Sequence, residues 1–187
     1  MPRRRVLAGG AALLAAGVAG CQSSSPDGSV PDPVTLTEAD QCEVCGMVIP
    51  NHPGPSAEVF YEDERPSGHD NPARFDSTWE AFQYNFDRLD QGWSVAAFYV
   101  TDYSSVDYTV STAGGDELIS THPEASAFVD AEEVTFVVGS AVKGAMGQDL
   151  IAFSAESDAE SFRSEYGGSL ATFDEVTRET IVRLEQS

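Results

Sequence analysis

Lysine occurs once in the 187 residues, at Lys143, and cationic side chains of any kind are scarce: 10 Lys and Arg stand against 31 Asp and Glu, a formal net charge of −21. Three of the arginines fall in the first five residues, so seven basic groups remain for the rest of the chain. A surface of this sign repels nucleic acid and anionic lipid headgroups, and neither is expected as a partner. The acidic residues are spread along the chain rather than gathered in a tail. They read as a solvated surface of the kind suited to high salt, and say nothing about a substrate. Cysteine and histidine are also few, three of each. A structural zinc site built from two Cys-x-x-Cys pairs is therefore excluded, and the histidines at 52, 69 and 122 fit no zinc-finger spacing. No long apolar run exists. The longest, near the start, has about a dozen residues, too few to cross a bilayer. No Ser-His-Asp order, phosphate loop or paired-carboxylate signature appears, so the chain is not expected to be an enzyme.

The opening stretch MPRRRVLAGGAALLAAGVAGC has a basic start, a short apolar run and then small residues. This is the layout of an export signal. Arg3-Arg4-x-Val6-Leu7 resembles a twin-arginine signal, and Val18-Ala19-Gly20-Cys21 resembles a lipobox. Cys21 is then the acylated residue that holds the protein on the outer face of the cell membrane. The next stretch, residues 22–35, is rich in Ser, Pro, Asp and Gly and reads as a disordered tether. About 150 residues remain, enough for a domain with a real core.

Within those residues the pattern of elements repeats. CEVCGMVIP and Ala57–Glu62 read as strands, and Asp63–Ala73 as a loop. A helix follows from Asp76 or Ser77, with Glu80 three residues on and Trp79, Phe82 and Phe86 on one face. Trp93–Tyr103 is a strand. The second half gives strands over Glu132–Ser140 and Leu150–Ser154, a helix from Ser154 stopped by Gly167-Gly168, a strand at Ser169–Val176 and a terminal helix. The expected fold is α+β with two similar ββαβ lobes, the first over 36–104 and the second over 105–187, the boundary lying near Ser104–Asp107.

The stretch QCEVCGMVIPNHPGP concentrates the unusual chemistry. Cys42 and Cys45 are the two thiols left once Cys21 is lipidated, and Met47 and Met146 are the two thioethers left once Met1 is removed with the signal. Each Met adjoins a glycine, at matching places in the two lobes, where the backbone can approach closely or take positive φ. Thiolate with thioether favours a soft ion, and Cu(I) is content with two or three such ligands. His52 is a third candidate or a turn residue, whereas His69 and His122 are expected to face solvent. Asp76 and Glu80 read as helix-start residues. Cys-x-x-Cys also admits a thiol–disulfide redox pair, or a structural disulfide in an exported lipoprotein. The thioredoxin arrangement is not expected, because the pair runs into an apolar stretch rather than a helix start.

The lipoprotein signal, Cys-x-x-Cys-Gly-Met, HPGPSAEVFY, FDSTWEAF and the late AMGQDLIAFSAESDAESFRSEYGG followed by FDEV together resemble the NosL-type copper lipoproteins, over Cys42 to Val176. The resemblance implies two related ββαβ lobes and one bound Cu(I). It further implies delivery of copper for the assembly of nitrous oxide reductase, in denitrification, or of a related exported copper protein. Cys45 and Met47 match the family's Cys-x-Met pair. Met146 matches the second signature, and His52 the His-Pro-Gly-Pro segment. Cys42 departs from the strict denitrification members, as an extra ligand or a disulfide partner of Cys45.

Overall fold

The structure, a computed structural model, describes residues 30–66 and 68–185; the export signal, Cys21 and most of the tether lie outside the described residues. Mixed helices and sheets confirm the α+β class. The first half forms β1 (Ala57–Tyr61), β2 (Ala73–Phe75), α1 (Thr78–Asp90) and β3 (Val95–Thr101). After β4 (Val110–Ala113), β5 (Asp116–Ile119) and β6 (Phe128–Asp130) come β7 (Thr135–Gly144), β8 (Gly147–Phe153), α2 (Glu156–Tyr166), β9 (Ser169–Ala171) and α3 (Arg178–Glu185). The order ββαβ thus occurs twice. One antiparallel sheet runs β2-β1-β3-β6, and a mixed sheet runs β4-β5-β7-β8 with β9 also on β7. β6, from the second half of the chain, completes the first sheet by pairing with β3.

The expected first strand, CEVCGMVIP, is instead a closed turn. Cys42 N donates to the Met47 carbonyl at 2.9 Å, and Gly46 N donates to the Cys42 carbonyl at 3.0 Å. Gly46 has φ +73°, a conformation a side chain resists. A single 3-10 turn, Ile49–Asn51, follows. The second strand of the pair is Ala73–Phe75, a segment too short to announce itself by alternation.

Period-two patterning gives the second sheet two apolar faces. Phe136, Val138, Leu150 and Ala152 turn toward α1 and the first sheet. Val137, Ile151 and Phe153 turn toward α2 and its Phe162. At the centre, the Phe82 ring of α1 lies 4.9 Å from Phe98 of β3, 5.6 Å from Phe136 of β7 and 5.4 Å from Phe173, centroid to centroid. One core therefore joins both halves.

All five residues of β1 are buried. The alternate residues Ala57, Val59 and Tyr61 belong to the main core. The opposite face carries the cross-strand row Arg74, Glu58 and Tyr99, and residues 31–40 lie over it. Tyr99 Oη donates to the Pro31 carbonyl at 2.8 Å, Val34 N donates to Glu58 Oε2 at 3.0 Å, and Arg74 Nε pairs with Asp40 Oδ1 at 3.3 Å. The end of the stretch expected to be a tether is thus bound to the domain, and Leu36 is part of its core.

Glu58 Oε1 has no hydrogen-bond partner among the described residues. Burial pushes this carboxyl up to about 7, against the counter-pull of the Val34 N–H and Arg74. The folded chain then binds a proton at Glu58 that the unfolded chain has already released, so this residue lowers stability as pH rises from about 4.5 to 7. Glu58→Gln should be more stable than the parent at pH 8 by on the order of 2 kcal/mol, and nearly equal to it at pH 4. Urea unfolding at the two pH values measures the difference; a gap that does not change with pH would place the ionisation of Glu58 elsewhere.

Candidate metal centre

The turn from Cys42 to Met47 is held against the start of α1, and this brings four donor groups together. Cys42, Cys45, Asp76 and Glu80 each offer one atom, all within 4.8 Å of one another. The Cys42 thiol donates to Glu80 Oε2 at 2.9 Å. The Cys45 thiol donates to Asp76 Oδ1 at 3.5 Å. Both cysteines are free thiols. Cys42 is buried, Cys45 half-buried, and both carboxylates are buried.

Each element places its residue for a local reason. β2 ends at Phe75, so Asp76 is delivered at the junction with the helix. Ser77 is the N-cap, its hydroxyl accepting from Glu80 N at 3.2 Å. Glu80 at the third helical position would complete a capping box by reaching back to the cap. Its carboxylate turns to Cys42 instead. Between the two cysteines, Glu43 is clamped from outside: its backbone N–H donates to the Arg74 carbonyl at 3.0 Å, and its carboxylate pairs with His69. Arg74 Nη1 lies 3.1 Å from the other nitrogen of that ring. His69, expected to face solvent, therefore buttresses the loop. His122 is likewise half-buried, bonded to Ser120 Oγ at 3.0 Å.

The electrostatics keep protons in the cluster. Burial pushes the Cys42 thiol far above the usual range, with Glu80 and Asp76 adding to the shift. Cys45 is raised first by burial, then by the charges of Asp76 and Glu80. Glu80 itself is pushed up to about 7, chiefly by burial. A redox-active pair needs the reverse, a thiol lowered by a helix start or a cation. Here the pair lies in a loop and faces two acids.

The other predicted ligands are placed less centrally. Met47 is half-buried in the same turn as the thiols. His52 follows the 3-10 turn, half-buried, and no histidine joins the four-residue cluster among the described residues. Met146 stands at the tip of the β7–β8 hairpin, 44% exposed, in a cleft that includes Trp79, Gln148 and Leu184. Asp76 and Glu80 read from the sequence as helix-start residues, because helix starts ordinarily hold such groups; the structure brings both beside the thiols. The signal available was surplus: one N-cap suffices, and Ser77 supplies it.

The donor set fits a soft ion. Two thiols meet the preference of Cu(I) for two or three soft ligands, whereas carboxylates suit harder ions. Asp76 and Glu80 are the natural recipients of the thiol hydrogen bonds.

The NosL family profile matches residues 33–181. The chain is 28% identical over 166 residues to the copper-binding lipoprotein NosL of Stutzerimonas stutzeri, covering 89% of this chain and 77% of the relative. It is 27% identical over 146 residues to the copper-binding lipoprotein NosL of Achromobacter cycloclastes, covering 78% and 67%. Among solved structures, the copper chaperone NosL from Shewanella denitrificans superposes with a TM-score of 0.59 at 32% identity, over 77% of this chain and 94% of that one.

Proposed function

The chain belongs to the NosL family, and from that we propose that it is a copper carrier rather than an enzyme, binding one Cu(I) and delivering it during assembly of nitrous oxide reductase or a related exported copper protein. The observation that carries this reading is the pair of thiols held within reach of each other at a partly open site. Cys45 and Cys42 are the anchoring ligands, and Met47 is the thioether beside them. Met146 and His52 are further ligands that join when the ion or the acceptor arrives. Lipid on Cys21, after twin-arginine export, holds the carrier on the outer face of the membrane.

Binding requires the thiols to lose their protons. The protons lost are the ones that the Cys42 thiol donates to Glu80 and the Cys45 thiol donates to Asp76. Two protons given up for one cation leave two thiolates, matched to a soft ion. A site with few ligands and one half-buried thiol permits stepwise exchange: a ligand of the acceptor joins before a carrier ligand leaves. A closed four-ligand site would retain the ion.

The test is an anaerobic competition titration with a colorimetric Cu(I) chelator in high salt, run on the reduced protein and on protein oxidised to the Cys42–Cys45 disulfide. The reduced chain should hold one Cu(I), and the oxidised chain none, because the disulfide consumes both thiolates. Transfer is read by mixing the loaded carrier with copper-free nitrous oxide reductase. Failure of the reduced protein to compete would sink the carrier reading; equal binding by the oxidised protein would move the site away from the thiols.

A further inference from the structure

The candidate ligands come from segments far apart in the chain, and one buried carboxylate lies where those segments meet. Asp149, in β8, is 1% exposed. Its Oδ2 accepts from Ser77 Oγ at 2.7 Å, and its Oδ1 accepts from Trp79 N and Leu150 N, both at 2.8 Å. Ser77 and Trp79 begin α1, so an acid of the second sheet sits at the N-terminus of the helix that carries Glu80. The helix start favours a negative charge there, against burial, which pushes this carboxyl up to about 7. The connection continues inward: Ser77 Oγ accepts from Glu80 N, and Glu80 accepts from the Cys42 thiol.

On its other side Asp149, itself in the second strand of the hairpin, packs against Gly144 of the first. A Cβ on Gly144 would stand 2.8 Å from Asp149 Oδ2, 2.5 Å from the Gly54 carbonyl and 2.9 Å from Pro55 Cδ. Gly144 ends the strand whose hairpin presents Met146, and Gly54-Pro55 is the segment just after His52. Ser77 alone already caps the helix, so full burial of a second polar group there exceeds what capping needs.

We propose that Asp149 is a positioning residue for the metal site: it ties the start of α1, with Glu80 and through it Cys42, to the Met146 hairpin and the His52 segment. The proposal rests on the carrier reading for its consequence, and on the apo geometry for its cause.

The experiment compares Asp149→Asn with Ile151→Val in the full-length reduced protein. Ile151 is on the same strand but faces the α2 core, so its variant reports loss of stability alone. Two readouts are taken: Cu(I) affinity by chelator competition, and the rate of iodoacetamide alkylation at Cys42 by mass spectrometry. With Asp149→Asn the affinity should fall about tenfold and the alkylation rate rise about tenfold, while Ile151→Val moves neither. Asp149→Asn unchanged in alkylation, or both variants shifting in proportion to lost stability, would overturn the proposal. If the parent binds no Cu(I), the carrier reading fails separately and alkylation alone decides on Asp149. Should Asp149→Asn not fold, Ser77→Ala cuts the same connection and should speed alkylation of Cys42; an unchanged rate would overturn the proposal.

Discussion

Cys45→Ser should weaken Cu(I) binding by about a hundredfold or more while leaving the fold intact. Cys45 is the half-buried thiol of the pair, whereas Cys42 is 4% exposed, so an ion arriving from solvent meets Cys45 first. Serine keeps the size and the hydrogen bond to Asp76 but replaces a soft donor by a hard one that stays protonated at neutral pH. Met47→Leu, run beside it, removes one thioether from the same turn and should weaken binding less. Chelator competition measures both, and circular dichroism checks the fold. Retention of the parent affinity in Cys45→Ser would remove this thiol from the site.

Phe82→Ala should cost about 3–5 kcal/mol and lower the unfolding midpoint of the whole protein in a single transition. Phe82 is 1% exposed and its ring touches residues from both sheets and from the segment after β9. Deleting it leaves a cavity that neither half can close alone. Denaturant unfolding followed separately at Trp79 or Trp93 fluorescence and at far-UV dichroism gives the test. Two separated transitions would show that the halves unfold independently.

The second ββαβ unit, and β1, α1 and β3 of the first, were legible because they carry strong local signals; the first unit's strand pair was not, since CEVCGMVIP was read in place of Ala73–Phe75. α1 has a cap and an apolar stripe, and α2 ends at Gly167, with φ +76°. The glycines beside Met47 and Met146 do adopt positive φ, +73° at Gly46 and +108° at Gly147. What was not legible depends on contacts distant in sequence. The Cys42–Met47 turn has the composition of a strand, and its closure is decided by Gly46 and by the clamp of Glu43 to residues 69 and 74. Glu80 obeys the helix-start pattern in position but not in its partner, which lies 38 residues earlier. Asp149 looks like an ordinary polar residue on a strand. Only the approach of the second sheet to α1 gives it a task.

The binding of residues 31–40 to the outer face of the first sheet shortens the leash. With Pro31 fixed by Tyr99, ten residue steps separate it from Cys21, a reach of about 35 Å at full extension. Under the lipid anchoring at Cys21 proposed above, the carrier would be confined to a thin shell over the lipid surface, and an acceptor held at that same surface would meet it at an effective concentration set by the shell and not by bulk abundance. Under that confinement, exchange can proceed through a modest, short-lived encounter, and a surface as acidic as this one need not hold its acceptor tightly.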